Sequence, residues 1–92
     1  MSAVTAYIRA GTLIQRASVM MGIPEEDIIA ARDQLSCEIR YGIVKVLRDD
    51  GYSLPQIGRI LKRHHTTIMD AERRANDLIG DSVFAGFVEA LR

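Results

Sequence analysis

The 92-residue chain reads as an all-α domain, a compact bundle of about six helices, on three observations. Apolar residues recur at steps of three and four almost from end to end. No run keeps the strict apolar–polar alternation of a half-buried strand. Residues that start and stop helices (Thr12, Gly22, Pro24, Gly51, Ser53, Pro55, Gly80) fall between the apolar stripes.

Taken in order, Val4, Tyr7 and Ile8 predict a short first helix closed by Gly11. Thr12 is the expected N-cap of a second helix over residues 13–21, which Gly22 ends in the left-handed C′ position. Residues 1–11 would then be an N-terminal helical extension on a single domain of residues 12–92. Pro24, Glu25, Glu26 and Asp27 put a proline and three acids in a first turn, where the helix dipole favours them, and lead into Ile28 and Ile29. A long helix follows, with Leu35, Ile39, Ile43, Val46 and Leu47 on its buried face. It should stop at Asp49-Asp50-Gly51, with Tyr52 folding back on the last turn.

Ser53-Leu54-Pro55-Gln56 is a strong start signal. The serine hydroxyl can accept from the Gln56 amide while the glutamine reaches back, and Pro55 has no amide to waste in a first turn. Leu54, Ile57, Ile60 and Leu61 face inward. Gly58 inside this helix costs about 1 kcal/mol relative to alanine, and close approach of another helix is the expected compensation. Lys62-Arg63-His64 must be a tight turn, because the next stripe begins at once: Ile68, Ala71, Ala75, Leu78 and Ile79. After Gly80, Asp81 or Ser82 caps a last helix with Val83, Phe84, Phe87, Val88 and Leu91 apolar.

Several function classes drop out. Twelve basic residues cancel twelve acidic ones, so an electrostatic partner must be recognised by uneven placement of charge. The stretch between Arg16 and Glu25 is far short of the roughly 20 apolar residues a membrane span needs. No signal peptide is visible, and the single cysteine, Cys37, suits a reducing cytoplasm, the expected location. It cannot anchor a zinc site, and no glycine cluster matches a nucleotide-binding loop, so neither metal nor cofactor is expected. Ser53, His65 and Asp70 are the residue types of a hydrolase triad, but Ser53 is committed to capping, and no enzyme is expected.

Residues 53–80 have the layout of a helix-turn-helix, whose second helix enters the DNA major groove by its N-terminal end. Such a unit needs small packing at the crossing, positive charge around the entry and hydrogen-bonding side chains at the tip. Gly58 meets the first need. For the second, residues 53–74 hold Arg59, Lys62, Arg63, Arg73 and Arg74 against Asp70 and Glu72, a net of +3, whereas residues 1–52 carry −1 and residues 75–92 carry −2. For the third, His64, His65, Thr66 and Thr67 offer donors, acceptors and two methyl groups suited to base edges and the thymine methyl.

The run SLPQIGRILKRHHTTIMDAERRA resembles the C-terminal DNA-binding domain of the bacterial replication initiator DnaA. That family's signature is matched by Ser53, Leu54, Ile57, Gly58, Arg63, His65, Thr66, Thr67 and Ile68. The similarity extends upstream through Met20-Met21-Gly22-Ile23 and Asp27-Ile28-Ile29, over roughly residues 12–92. It departs at His64, where the family has an aspartate that reads a base. It departs again at residues 31–36, where the family's basic minor-groove loop is reduced to Arg32, with Arg40 near it.

The resemblance implies a Trp-repressor-like or DnaA-like trihelical fold and double-stranded DNA as partner, read at sites like the initiator's boxes. Expected base contacts are Leu54, Pro55, His64, His65, Thr66 and Thr67. Candidate phosphate contacts are Arg32, Arg48, Arg59, Lys62, Arg63 and Arg74, of which about four or five made together give a log affinity that falls with log salt at a slope of about −4. The initiator's ATPase module has no counterpart in these residues, so regulation of replication initiation or of nearby promoters is the expected role. Initiator DnaA or other replication proteins are further expected partners, with the chain a monomer or weak homodimer. The alternatives are a protein–protein interaction module of the replication machinery, favoured by the zero net charge and the missing basic loop, and a dimeric transcription repressor of the same trihelical kind with the first helix (Val4, Tyr7, Ile8) as its seam.

Overall fold

The computed structural model describes residues 2–92. Six helices and no strand are found among the described residues: α1 (Ala3–Met21), α2 (Glu25–Ala30), α3 (Gln34–Asp49), α4 (Leu54–Leu61), α5 (His65–Leu78) and α6 (Ser82–Leu91). The all-α bundle holds.

One expected boundary does not. Gly11 and Thr12 lie inside an uninterrupted 19-residue α1 whose N-cap is Ser2, with its side chain accepting from the Thr5 amide. Thr12 is no cap; its hydroxyl donates to the Ile8 carbonyl one turn back, at 3.0 Å. The buried stripe explains this. Ala6, Ala10, Leu13, Ile14 and Ala17 run through the glycine without a change of phase, and a single helix-interior glycine costs only about 1 kcal/mol. That is less than burying one of the larger apolar residues contributes, about 1.5–3 kcal/mol.

α3 is the hub and packs against each of the other five helices. Its Ile39, Ile43, Val44, Val46 and Leu47 are all buried. Leu35, expected on that face, is 43% exposed, because the helix begins only one residue earlier and its first turn overhangs the core. The N-cap is Asp33, which accepts from the Ser36 amide at 3.1 Å. The far end closes as expected. Gly51 takes φ +97, its amide donates to Arg48, and the Tyr52 amide reaches back to Leu47, the double bond of a Schellman stop. Tyr52 is buried. In α6, Phe84, Val88 and Leu91 enter the core while Val83 points outward.

Ser53 and Gln56 form the capping box in both directions: the Ser53 amide donates to Gln56 Oε1 at 2.8 Å and the Gln56 amide to Ser53 Oγ at 3.2 Å. α4 ends with Lys62 in the left-handed region at φ +56, and both its amide and that of Arg63 reach the Gly58 carbonyl. The demand on Gly58 therefore differs from the expected one. A Cβ there would sit 2.6 Å from the Arg63 carbonyl oxygen, so the close neighbour is the backbone of the turn, not a crossing helix. The glycine lets the turn fold under α4 and sets the start of α5.

Candidate nucleic-acid interface

The turn between α4 and α5 is three residues long, Lys62 to His64. His64 is the N-cap of α5, its Nδ1 accepting from the Thr66 amide at 3.3 Å and lying 2.8 Å from Thr66 Oγ1. The His64 and His65 rings stack with centroids 4.3 Å apart. His64, His65, Thr66 and Thr67 are all exposed. The α5 tip is thus an open, ordered set of two imidazoles, two hydroxyls and two methyls at a helix N-terminus, where backbone N–H groups and the dipole favour an approaching anion.

α5 stays open beyond its tip. Ile68, Ala71 and Ala75 anchor it to the bundle, while Met69, Arg73 and Asn76 face solvent. On α4, Pro55 is exposed and Leu54 half-buried.

The six expected phosphate contacts divide in two. Arg32, Arg59 and Lys62 are exposed, and no ion pair engages them among the described residues. Arg63 is half-buried: its Nη2 donates to the Ile29 carbonyl at 2.7 Å and its Nη1 to Leu61 at 3.4 Å. This bond ties the end of α2 to the turn and brings the Arg32 linker beside it. Arg40, the other minor-groove candidate, is drawn to the same helix end, donating to the Ile28 carbonyl at 2.8 Å and to Cys37 Sγ at 3.1 Å. Two arginines from distant elements thereby satisfy the last carbonyls of a six-residue helix. Arg48 joins α3 to α5 through Glu72 at 2.9 Å and holds the Tyr52 carbonyl at 3.0 Å. Arg74 bonds Asp70 at 2.8 Å, and Arg73 bonds the same carboxylate. Hydrogen bonds from Arg74 and Arg73 hold the Asp70 carboxyl below the usual carboxylate range, and Asp70 in turn raises Arg74.

These pairings redistribute the field without erasing it. Arg48 neutralises Glu72, so counting it with residues 53–74 gives six cations against two acids, +4. Asp70 cancels one of Arg73 and Arg74. Of the four charges left, three (Arg59, Lys62 and Arg63) are on α4 and the turn and one is shared by Arg73 and Arg74 on α5. The long-range tethers of Arg40, Arg48 and Arg63 were not legible in local spacing, because their acceptors Ile28, Glu72 and Ile29 lie on other elements. The Asp70 pairs were legible, since Arg73 and Arg74 follow at i+3 and i+4.

No curated protein and no solved structure matches the chain. Residues 32–69, somewhat less than half of it, match a family model described as a helix-turn-helix domain, a likeness consistent with binding double-stranded DNA.

Proposed function

We propose that the chain is a non-enzymatic, sequence-specific binder of double-stranded DNA that inserts the N-terminal end of α5 into the major groove. The observation that carries this reading is the uncovered tip His64–Thr67, with exposed Lys62 in the adjoining turn and exposed Arg59 on α4, in a segment similar to a helix-turn-helix domain. Thr66 and Thr67 offer methyls to thymine, and His65 offers a ring nitrogen to a base edge or phosphate. Because Nδ1 of His64 is engaged by the cap, only its other ring nitrogen is available to DNA. Pro55 and Leu54 add apolar contact at the groove wall. Arg32, Arg59 and Lys62 carry the phosphate contacts, with Arg63 and Arg48 bracing the scaffold. A hydrolytic role finds no support, since Ser53 Oγ is spent on the Gln56 amide and Asp70 on two arginines.

The finer reading is that the preferred site is similar to the boxes of a bacterial replication initiator, with regulation of replication initiation or of promoters as the consequence. It rests on the run from Ser53 to Ile68 described above. Since His64 stands where that family has an acceptor, one step of the site should differ from the family's. Selection of bound duplexes from a random pool tests both levels. A recovered motif supports sequence reading, and its likeness to initiator boxes supports the finer claim. Recovery of random sequence refutes the first, and a motif unlike those boxes refutes the second.

A further inference from the structure

α1 is apolar on two faces, and only one is covered. The inner stripe from Ala6 to Ala17 is buried, yet on the outer side Val4, Ile8 and Val19 are 69%, 66% and 79% exposed and Tyr7 54%. A helix apolar all round is normally enclosed on all sides. The helix carries just two charged residues, Arg9 and Arg16, and both are turned toward the bundle. Arg9 bonds Asp50 at 2.7 Å, and Arg16 donates to the carbonyls of Leu91 and Arg92 at 3.0 and 3.1 Å. The outer face is consequently without charge along its 19 residues.

Gly11 adds an independent feature. It is exposed at mid-helix, where a Cβ would meet nothing within 4 Å, so nothing in this chain requires a glycine there. Gly86 of α6 is equally open, but Glu89 stands one turn away on its surface. On α1 the outer residues are arranged about the glycine: Val4 and Ile8 precede it by seven and three positions, and Gln15 and Val19 follow by four and eight. A two-fold axis between positions 11 and 12 sets Val4 against Val19, Ile8 against the stem of Gln15 and Gly11 against Thr12 of a second copy, the reciprocal pairing of an isologous interface.

We propose that the outer face of α1 is the seam of a symmetric dimer of this chain, in which two antiparallel α1 helices cross at Gly11. Val4 and Ile8 of one copy then lie against Val19 and Gln15 of the second, and the missing side chain lets the backbones approach. Val4, Tyr7, Ile8, Gln15 and Val19 offer on the order of 500 Å² per copy, so the pair buries at most about 1,000 Å², the threshold of a weak interface. The dimer is therefore concentration-dependent, with a dissociation constant in the micromolar range. It stands without the DNA reading.

Sedimentation equilibrium of the whole chain from about 1 to about 500 µM tests the seam. The average mass should climb from one chain to two. Gly11→Leu and Ile8→Lys should each weaken association by at least roughly tenfold, while Gly11→Leu keeps or raises the thermal midpoint because leucine is the better helix former. A monomer at every concentration would overturn the seam, leaving the face to a different partner. A dimer indifferent to both substitutions would overturn it equally, since another surface would then be in use.

Discussion

Asp70 on the second turn of α5 holds Arg73 and Arg74 on the exposed third turn, so Asp70→Asn should release two guanidiniums beside the DNA. With Arg32, Arg59 and Lys62 as the cations reaching phosphate, the unaltered chain should show a slope of log affinity against log salt near −2.7, about −0.9 for each of three contacts. Release of one or both arginines steepens it to about −3.6 or −4.5. At about 0.1 M salt, one decade below the 1 M reference, each added contact is worth about 0.9 log units, so binding tightens about 8-fold for one and about 60-fold for both. Fold stability should barely change, because the pairs are solvent-exposed and weak. Anisotropy of a labelled duplex across a salt series gives the slope, and thermal melting gives the control. An unchanged or shallower slope with a stable fold would refute the geometry, because the third turn of α5 would then lie away from the phosphates.

Three further outcomes follow from local geometry. Gly58→Ala should destabilise by about 1–3 kcal/mol, the usual range for overpacking against atoms that cannot yield, because the new methyl meets the Arg63 carbonyl at 2.6 Å. Gly42→Ala should cost less, since its methyl meets the edge of the Phe87 ring at 2.7 Å, which can swing aside; equal losses in chemical denaturation would contradict this. Lys62→Gly should raise stability by about 1 kcal/mol by relieving the left-handed backbone, yet make the salt slope shallower by about 0.9. Melting and binding assays on that one variant must move in opposite directions. Finally, Asp33 is held below the usual carboxylate range by the Ser36 amide and hydroxyl, and Asp70 by its two arginines. Burial pushes Asp49 up, but bonds from Arg92 and Lys45 outweigh it, leaving Asp49 low as well. Carboxylates depressed in the folded state contribute stability above their unfolded value of about 3.9, which is lost as pH falls through the folded values. The thermal midpoint should stay level from pH 7 to about 5 and drop below about 4; a rise on acidification would contradict the pairing.

The parts of the fold written in contiguous signals were legible. The Ser53–Gln56 box, the stops at Gly22 and Gly51 and the stripe Ile39–Leu47 each depend on residues within about two turns, and each formed as read. The short first helix failed because Gly11 and Thr12 were weighed as local stop and start signals, whereas the stripe Ala6–Ala17, made largely of alanine, decided the matter through tertiary burial. Leu35 failed for the related reason that a period marks a face without showing how far the neighbours extend along it. At the site, the open tip His64–Thr67 followed from the three-residue turn. The fates of Arg48, Arg63 and Arg74 show the limit. A cation looks the same in sequence whether it waits for phosphate or braces a helix end, and two of these three are bound to acceptors on other elements (Glu72 and Ile29).

Everything functional turns on whether the amino-terminal turn of α5 reads bases. The most direct measurement compares the unaltered chain with the Thr66→Ala, Thr67→Ala double variant, binding a selected duplex and its scrambled counterpart at one salt concentration. The account predicts a clear preference in the unaltered chain. In the variant, about 2–4 kcal/mol of discrimination should be lost, from two contacts worth about 1–3 kcal/mol each, with binding to the scrambled duplex little changed. Equal binding of both duplexes by the unaltered chain, or full discrimination by the double variant, would contradict it.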